Sequence, residues 1–338
     1  MDPDVAHRLF EYRDAFAHPL TLGVTVGVVA LLPISALVVW ALHAAGKTDA
    51  ALHTELVQRI RSWAVLVPLL VGPVLLGAAW VIAGVAVLSA LCFGEFARAT
   101  GLFRDRAIAA VVGVAIACTT YAVADHWYGF FVAVPPLAVS LLAAVAVLRD
   151  SPQGYLQRVG LGVVSLLLFV HGLGHLGYLA NDPGYRPLIL LVLLTVELND
   201  IFAYLTGRPF GKRKLLPKTS PGKTVAGAVG ALVCTTALTA VLGGLVLAGT
   251  PAGRPGALIV LGLLVSVAGQ AGDLVLSSAK RDIGIKDMGA RLPGHGGLLD
   301  RFDSLLLVAP VVYHYVGYFN GIGLTEPTRI LSRAIGIP

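Results

Sequence analysis

Residues 277–303 read SSAKRDIGIKDMGARLPGHGGLLDRFD, and within these 27 positions lie most of the groups that phosphate chemistry requires. Lys280, Arg281, Lys286 and Arg301 are cations for phosphate oxygens, and Asp300 and Asp303 are hard oxygen donors suited to Mg²⁺. Gly294, Gly296 and Gly297 flank His295 and let backbone approach a ligand. Asp273 lies seven residues before Lys280, with Ser277 between them, so on a helix all three share one face. Asp300 and Asp303, three apart, are expected to share a face as well and to converge with Asp273 on a metal. Helix capping accounts for Asp300 and Asp303 but not for Asp273, which is followed by more helix. The combination points to phosphoryl or nucleotidyl transfer.

A second charged segment precedes it. Between Arg208 and Lys223 stand six cations, among them Lys212, interrupted by glycine and proline. Such a segment is not one regular helix, and anionic headgroup binding is the plain alternative for it. Ser220-Pro221-Gly222-Lys223-Thr224 resembles the end of a P-loop only superficially, because Pro217 stands where the pattern needs a glycine. Arg208, Lys212, Ser220 and Lys223 are therefore read as candidate phosphate contacts, alongside Ser277, Arg281, Lys286, His295 and Arg301, with Lys280 and the three aspartates as the catalytic set.

The elements that must hold these groups are membrane helices. Hydrophobic residues make up 57% of the 338 and charged residues 13%, and the mean hydropathy is +0.82. A soluble domain carries about 25% charged residues. The chain is expected to be an all-α polytopic membrane protein with about ten transmembrane helices, at 20–45, 60–77, 79–99, 105–125, 128–148, 157–180, 186–206, 224–249, 256–279 and 303–320. The turn that splits 60–99 is placed at Gly77-Ala78-Ala79. With the 207–223 loop inside, 19 of the 25 Lys and Arg residues fall on the inner side, although the two charged loops supply 11 of those. This orientation places both loops in the cytoplasm, as expected for a bacterial inner-membrane protein whose site faces the cytosol. The net charge of +6 suits an anionic membrane surface and gives no reason to expect nucleic acid as a partner. Cys92, Cys118 and Cys234 lie in apolar runs and read as packing, as do His171 and His175. Glu95 reads as a partner for an arginine, and Glu197 and Asp200 as either structural or ligand groups.

Taken together, Ser277, Lys280-Arg281, Lys286-Asp287, Gly289, Leu292-Pro293, His295-Gly296-Gly297-Leu298 and Asp300-Arg301-Phe302-Asp303 resemble the signature of the phosphatidate cytidylyltransferases (CDP-diacylglycerol synthases). Asp200, Ala203-Tyr204, Gly207-Arg208, Phe210-Gly211-Lys212, Leu215, Pro217, Ser220-Pro221, Lys223-Thr224 and Gly227 resemble that family's upstream block. Two positions depart from the pattern: Ala279, where a larger apolar residue is usual, and Gly222, where a lysine is usual. The resemblance implies the reaction phosphatidate + CTP → CDP-diacylglycerol + pyrophosphate, in the bilayer. It also implies Mg²⁺ held by Asp273, Asp300 and Asp303, with a second metal ion in family members. Residues 1–58, with the first helix, stand as an addition to a nine-helix core, followed by scaffold helices in 59–195, a catalytic region in 196–325 and a tail in 326–338. A homodimer is a further expectation. The competing readings are a related CTP-dependent enzyme acting on another lipid phosphate or on a polyprenol, a lipid-headgroup binder without catalysis, and a transporter. The Asp-rich motif of the CDP-alcohol phosphotransferases is absent.

Overall fold

The computed structural model describes residues 3–292, 296–321 and 329–334. After a short helix α1 (Pro3–Phe10) come α2 (Pro19–Ala44), α3 (Ala50–Leu76), α4 (Ala78–Ala99), α5 (Arg106–Ala124) and α6 (Tyr128–Val147). Helix α7 (Tyr155–Ser165) runs through a π-helical stretch, Leu166–Gly172, into α8 (Leu173–Leu179). Then follow α9 (Tyr185–Phe210), a hairpin of β1 (Lys214–Leu216) and β2 (Ser220–Thr224), α10 (Val225–Val246), α11 (Pro255–Asp282), α12 (Leu299–Phe302), α13 (Leu305–Asn320) and α14 (Leu331–Ala334). Ten of the described helical segments are long and apolar enough to cross a membrane, as the hydropathy predicts.

The structure departs from the expected boundaries at the start of α3 and in the basic loop, and keeps the expected α3–α4 break. Helix α3 begins ten residues before the expected start, because Asp49 caps it by accepting from the Leu52 amide (2.7 Å) and Glu55 and Arg59 pair one turn apart (2.6 Å). The α3–α4 break falls at Gly77, whose φ of +138° no β-carbon tolerates well. The basic loop folds as an antiparallel hairpin pairing Lys214 with Thr224 and Leu216 with Ser220.

The core lies where α4, α5, α8, α9 and α13 meet, around the fully buried Phe131, Phe169, Tyr178 and Tyr185. Glycines set the closest approaches. A β-carbon at Gly172 would stand 2.8 Å from the Leu306 carbonyl, and one at Gly174 would stand 2.9 Å from Thr119. His171 and His175 pack here as expected: the ring nitrogens of His175 lie 2.7 Å from the His171 carbonyl oxygen and 3.1 Å from His314 Nε2. Helix α2 leaves most of its apolar side chains exposed, Leu31, Leu37 and Trp40 among them, as a helix bordering lipid does.

Candidate functional site

Helices α9, α10 and α11 frame the site, and a buried polar contact ties them together. Asn199 Oδ1 on α9 accepts from Thr235 Oγ1 on α10 (3.0 Å) and from Ser266 Oγ on α11 (2.6 Å). Where α9 meets α10, a β-carbon at Gly227 would lie 2.6 Å from the Ala203 carbonyl oxygen. Thr224 ends β2 and caps α10, its Oγ1 accepting from the Gly227 amide (3.1 Å). Toward α13, a β-carbon at Gly272 would lie 2.5 Å from the Asp303 carbonyl oxygen. That close approach carries the next residue, Asp273, to the Asp303 side of the bundle.

Three carboxylate–cation pairs and a further arginine then line one end of the molecule. Lys223, delivered by the hairpin, sits 2.5 Å from Asp273 Oδ2, and Ser277 Oγ donates to Asp273 Oδ1 (3.0 Å). Lys280 Nζ donates to Asp300 Oδ1 (2.8 Å). Arg291 stands 3.7 Å from Glu95 Oε1. Arg301, exposed at the rim, acts electrostatically on Glu197 and Asp200. Asp303 is buried and within electrostatic range of both Asp273 and Asp200.

Asp273, Asp300 and Asp303 do not stand together as a ready-made three-carboxylate cage. Both oxygens of Asp300 are engaged elsewhere: Oδ1 by Lys280, and Oδ2 by the amides of Met288 and Gly297 (2.9 Å each). The backbone stays α-helical through Asp303 (φ −58°, ψ −42°) and Ser304 (φ −64°, ψ −35°), so Asp300 and Asp303 keep the shared face. What separates Asp300 is its pairing with Lys280 and the loop amides. Among the described residues no three His, Cys, Asp or Glu side chains converge as a metal cage. Mg²⁺, however, usually binds one or two protein carboxylates and completes its shell with water and substrate phosphate. Asp273 and Asp303 interact electrostatically with each other and with Asp200 and would supply one or two such ligands, with Lys223 giving up Asp273 Oδ2 to the ion.

Glu95 does more than pair with an arginine. Its Oε2 accepts from the Leu299 amide (2.9 Å) and so holds the start of α12. Gly289 and Gly297 crowd this carboxylate: β-carbons there would stand 3.0 and 2.7 Å from its oxygens. Gly296, at φ +81°, packs against Asp287. The signature glycines thus shape a loop around buried carboxylates. Among the remaining predicted contacts, Arg281 bonds the Thr219 and Ile285 carbonyls (3.4 and 3.2 Å) and steadies the hairpin turn. Arg208 donates to Tyr204 Oη (3.3 Å). Lys212 and Lys286 are exposed at the rim, and Ser220 begins β2. His295 lies outside the described residues. Next to the charged end runs an apolar cleft of about 350 Å³, lined by Leu69, Pro73 and Trp80 at its far end and by Leu298, Phe302 and Leu305 beside Asp303.

The model of the cytidylyltransferase family matches residues 57–319, which leaves α1 and α2 outside it. The chain is 40% identical over 194 residues to the uncharacterized protein YnbB of Escherichia coli (strain K12), a stretch covering 56% of this chain and 64% of that one. It is 40% identical over 141 residues to a phosphatidate cytidylyltransferase of Staphylococcus haemolyticus (strain JCSC1435), covering 42% of this chain and 53% of that one. With a phosphatidate cytidylyltransferase of Bacillus subtilis (strain 168) it shares 41% over 132 residues, covering 39% of this chain and 48% of that one. The chain thus spans between about half and just under two thirds of these relatives' length.

Proposed function

The chain belongs to the cytidylyltransferase family, and on that premise we propose that it transfers CMP from CTP to phosphatidate, giving CDP-diacylglycerol and pyrophosphate. The observation that carries this reading is the meeting of a charged end with an acyl-sized cleft. Phe302 and Leu305, which flank Asp303 in the chain, line the apolar cleft, while Asp273 and Lys223 meet close by. A phosphate on a diacyl tail fits that junction. The names of two of the relatives support the same substrate.

The attacking phosphatidate oxygen is already anionic, so no strong general base is needed. The barrier lies in bringing two polyanions together and in the charge that builds on the departing pyrophosphate. Lys223, Arg281, Lys286, Arg301, Arg208 and Lys212 are the cations placed to bind phosphate oxygens. Asp300 and Glu95 act as positioning residues, holding Lys280 and the start of α12. Asp273 and Asp303, with Asp200, would hold Mg²⁺, and a second ion where one is used. The metal would supply Lewis-acid polarisation of the α-phosphate and charge neutralisation on pyrophosphate. The lysine and arginine bias supports the reading that this end faces the cytoplasm from a bacterial inner membrane.

The test uses purified protein in detergent, labelled CTP and a panel of phospholipids. Pyrophosphate release should require both Mg²⁺ and phosphatidate, and chelation should stop it. Asp273→Asn and Asp303→Asn should each abolish turnover with the melting temperature preserved. Near-wild-type turnover in either variant would remove these carboxylates from the metal site, and activity on another lipid phosphate alone would replace phosphatidate as the substrate.

A further inference from the structure

At the opposite end of the bundle, where α9 begins rather than ends, lies a cavity of about 540 Å³. Its polar lining is His7, Arg8, Asp14, His18, Thr21 and Arg186. It is a built feature. Helix α1 is seated with Leu9 buried against the backbone of Gly77, where any β-carbon would strike the Leu9 carbonyl. Arg8, 7% exposed, donates to the Asn181 carbonyl. Arg186 donates through Nε to the Val74 carbonyl (3.2 Å) and through Nη2 to the Glu11 carbonyl. A guanidinium has five N–H donors, and those two contacts leave others for the cavity.

Two features make the cavity suited to an anion. First, two arginines line it with one carboxylate, Asp14, which is already paired with His7 at 3.1 Å. Second, the 26-residue helix α2 starts here, presenting the positive end of its dipole. Its cap, His18 Nδ1, accepts from the Leu20 amide (3.1 Å). Thr21, in the first turn, is fully buried, and its hydroxyl has no hydrogen-bond partner among the described residues. A buried hydroxyl without a partner costs free energy that a bound acceptor would recover.

We propose that this cavity binds a phosphate anion through Arg186, Arg8 and the Thr21 hydroxyl. Guanidinium groups match phosphate geometry in pairs of hydrogen bonds, and the volume falls within the usual range for small-ligand sites, roughly 300–1,000 Å³. The cavity opens where two membrane helices begin, so the phosphate could belong to a lipid headgroup or be free in solution. The site lies outside the charged end and does not rest on the cytidylyl-transfer reading.

The experiment titrates full-length protein in phosphate-free detergent with dihexanoylphosphatidylglycerol and, separately, with inorganic phosphate, read by calorimetry. Saturable binding is expected, weakened about tenfold or more by Arg186→Gln and about threefold or more by Thr21→Val, the losses expected for a charge-assisted and a neutral hydrogen bond. Lys280→Gln, at the other end, should leave it unchanged. Stronger binding of the lipid would name a headgroup, and equal or stronger binding of inorganic phosphate would name the free anion. Should Arg186→Gln fail to fold, Thr21→Val decides alone. No saturable binding of either probe, binding untouched by the cavity variants, or binding lost only in Lys280→Gln would overturn the proposal.

Discussion

The Lys280–Asp300 pair offers the sharpest quantitative test of how the site is organised. The two groups meet at 2.8 Å with side chains only 11% and 4% exposed, so solvent screens them little. Asparagine at position 300 has one acceptor oxygen. It can serve either Lys280 or the two amides of Met288 and Gly297, but not both. Losing one partner of a buried pair costs about 3 kcal/mol at the low end of the measured range. If that cost falls on the transition state, Asp300→Asn lowers kcat/KM by roughly 150-fold. Lys280→Gln removes the charge from the better-hydrated partner, and at about 2 kcal/mol it costs roughly 30-fold. A pair acting as one unit shows a coupling energy near the smaller value, so the double variant should be only about 150-fold impaired. Independent action predicts multiplied losses, roughly 5,000-fold. The assay is CTP-dependent pyrophosphate release with phosphatidate, with melting temperatures as the folding control. Multiplied losses would refute the view that Asp300 works through Lys280 and the loop. Complete inactivity of Asp300→Asn in a folded protein would return it to the metal ligands.

Gly297→Ala places a methyl 2.7 Å from Glu95 Oε2 and should cost about 1–3 kcal/mol of loop order, seen as lost turnover; Gly222→Ala meets nothing within 4 Å and should be silent in the same assay. Asp125 accepts from the Leu331 and Ser332 amides, Ser332 Oγ and Arg329 Nε. Burial opposes its charge, yet these hydrogen bonds hold its carboxyl below the usual carboxylate range. Its stabilisation is therefore present above the unfolded value, about 3.9, and is lost as pH falls through the lower folded value. The melting temperature of Asp125→Asn should accordingly lie below wild type at pH 7, and the gap should close in strong acid; a gap independent of pH would disprove the assignment. In a background without Cys92, Cys118 and Cys234, single cysteines in 207–223 or 281–292 should resist impermeant maleimide in intact cells, whereas one at position 14 should react. Labelling in the opposite sense would invert the orientation.

The membrane helices were legible because lipid imposes length and hydropathy on them, and the α3–α4 break was legible because Gly77 stands at it. Charge type and spacing singled out Asp273, Lys280, Asp300 and Lys223, which the structure brings into pairs at one end of the molecule. The pairing itself was not legible, for three physical reasons. Same-face reasoning for Asp300 and Asp303 follows the helical backbone correctly, but it says nothing of Lys280 and the loop amides that occupy Asp300. The basic segment has no clear two-residue alternation, yet it pairs as a hairpin that carries Lys223 to Asp273. Glu95 grips a loop that begins nearly 200 residues later, and nothing local in its sequence announces a contact so distant. Asp200 read as either a structural or a ligand group; in the structure it interacts electrostatically with Asp273, Asp303 and Lys223.

The Asn199 contact has a kinematic consequence. One amide oxygen holds a hydroxyl from each of two neighbouring helices, so α9, α10 and α11 share a single axial setting. Sliding any one of them by a helical turn, about 5.4 Å, would strand polar groups in a medium with no water to replace them. The three helices therefore form a fixed stator. Any opening of the charged end then falls to the β1–β2 hairpin and the stretch from Ile283 to Leu292. These hold to the helices through individual polar contacts at the helix ends, Lys223 to Asp273 and the Met288 amide to Asp300 among them, contacts that can be exchanged while the three helices stay in place.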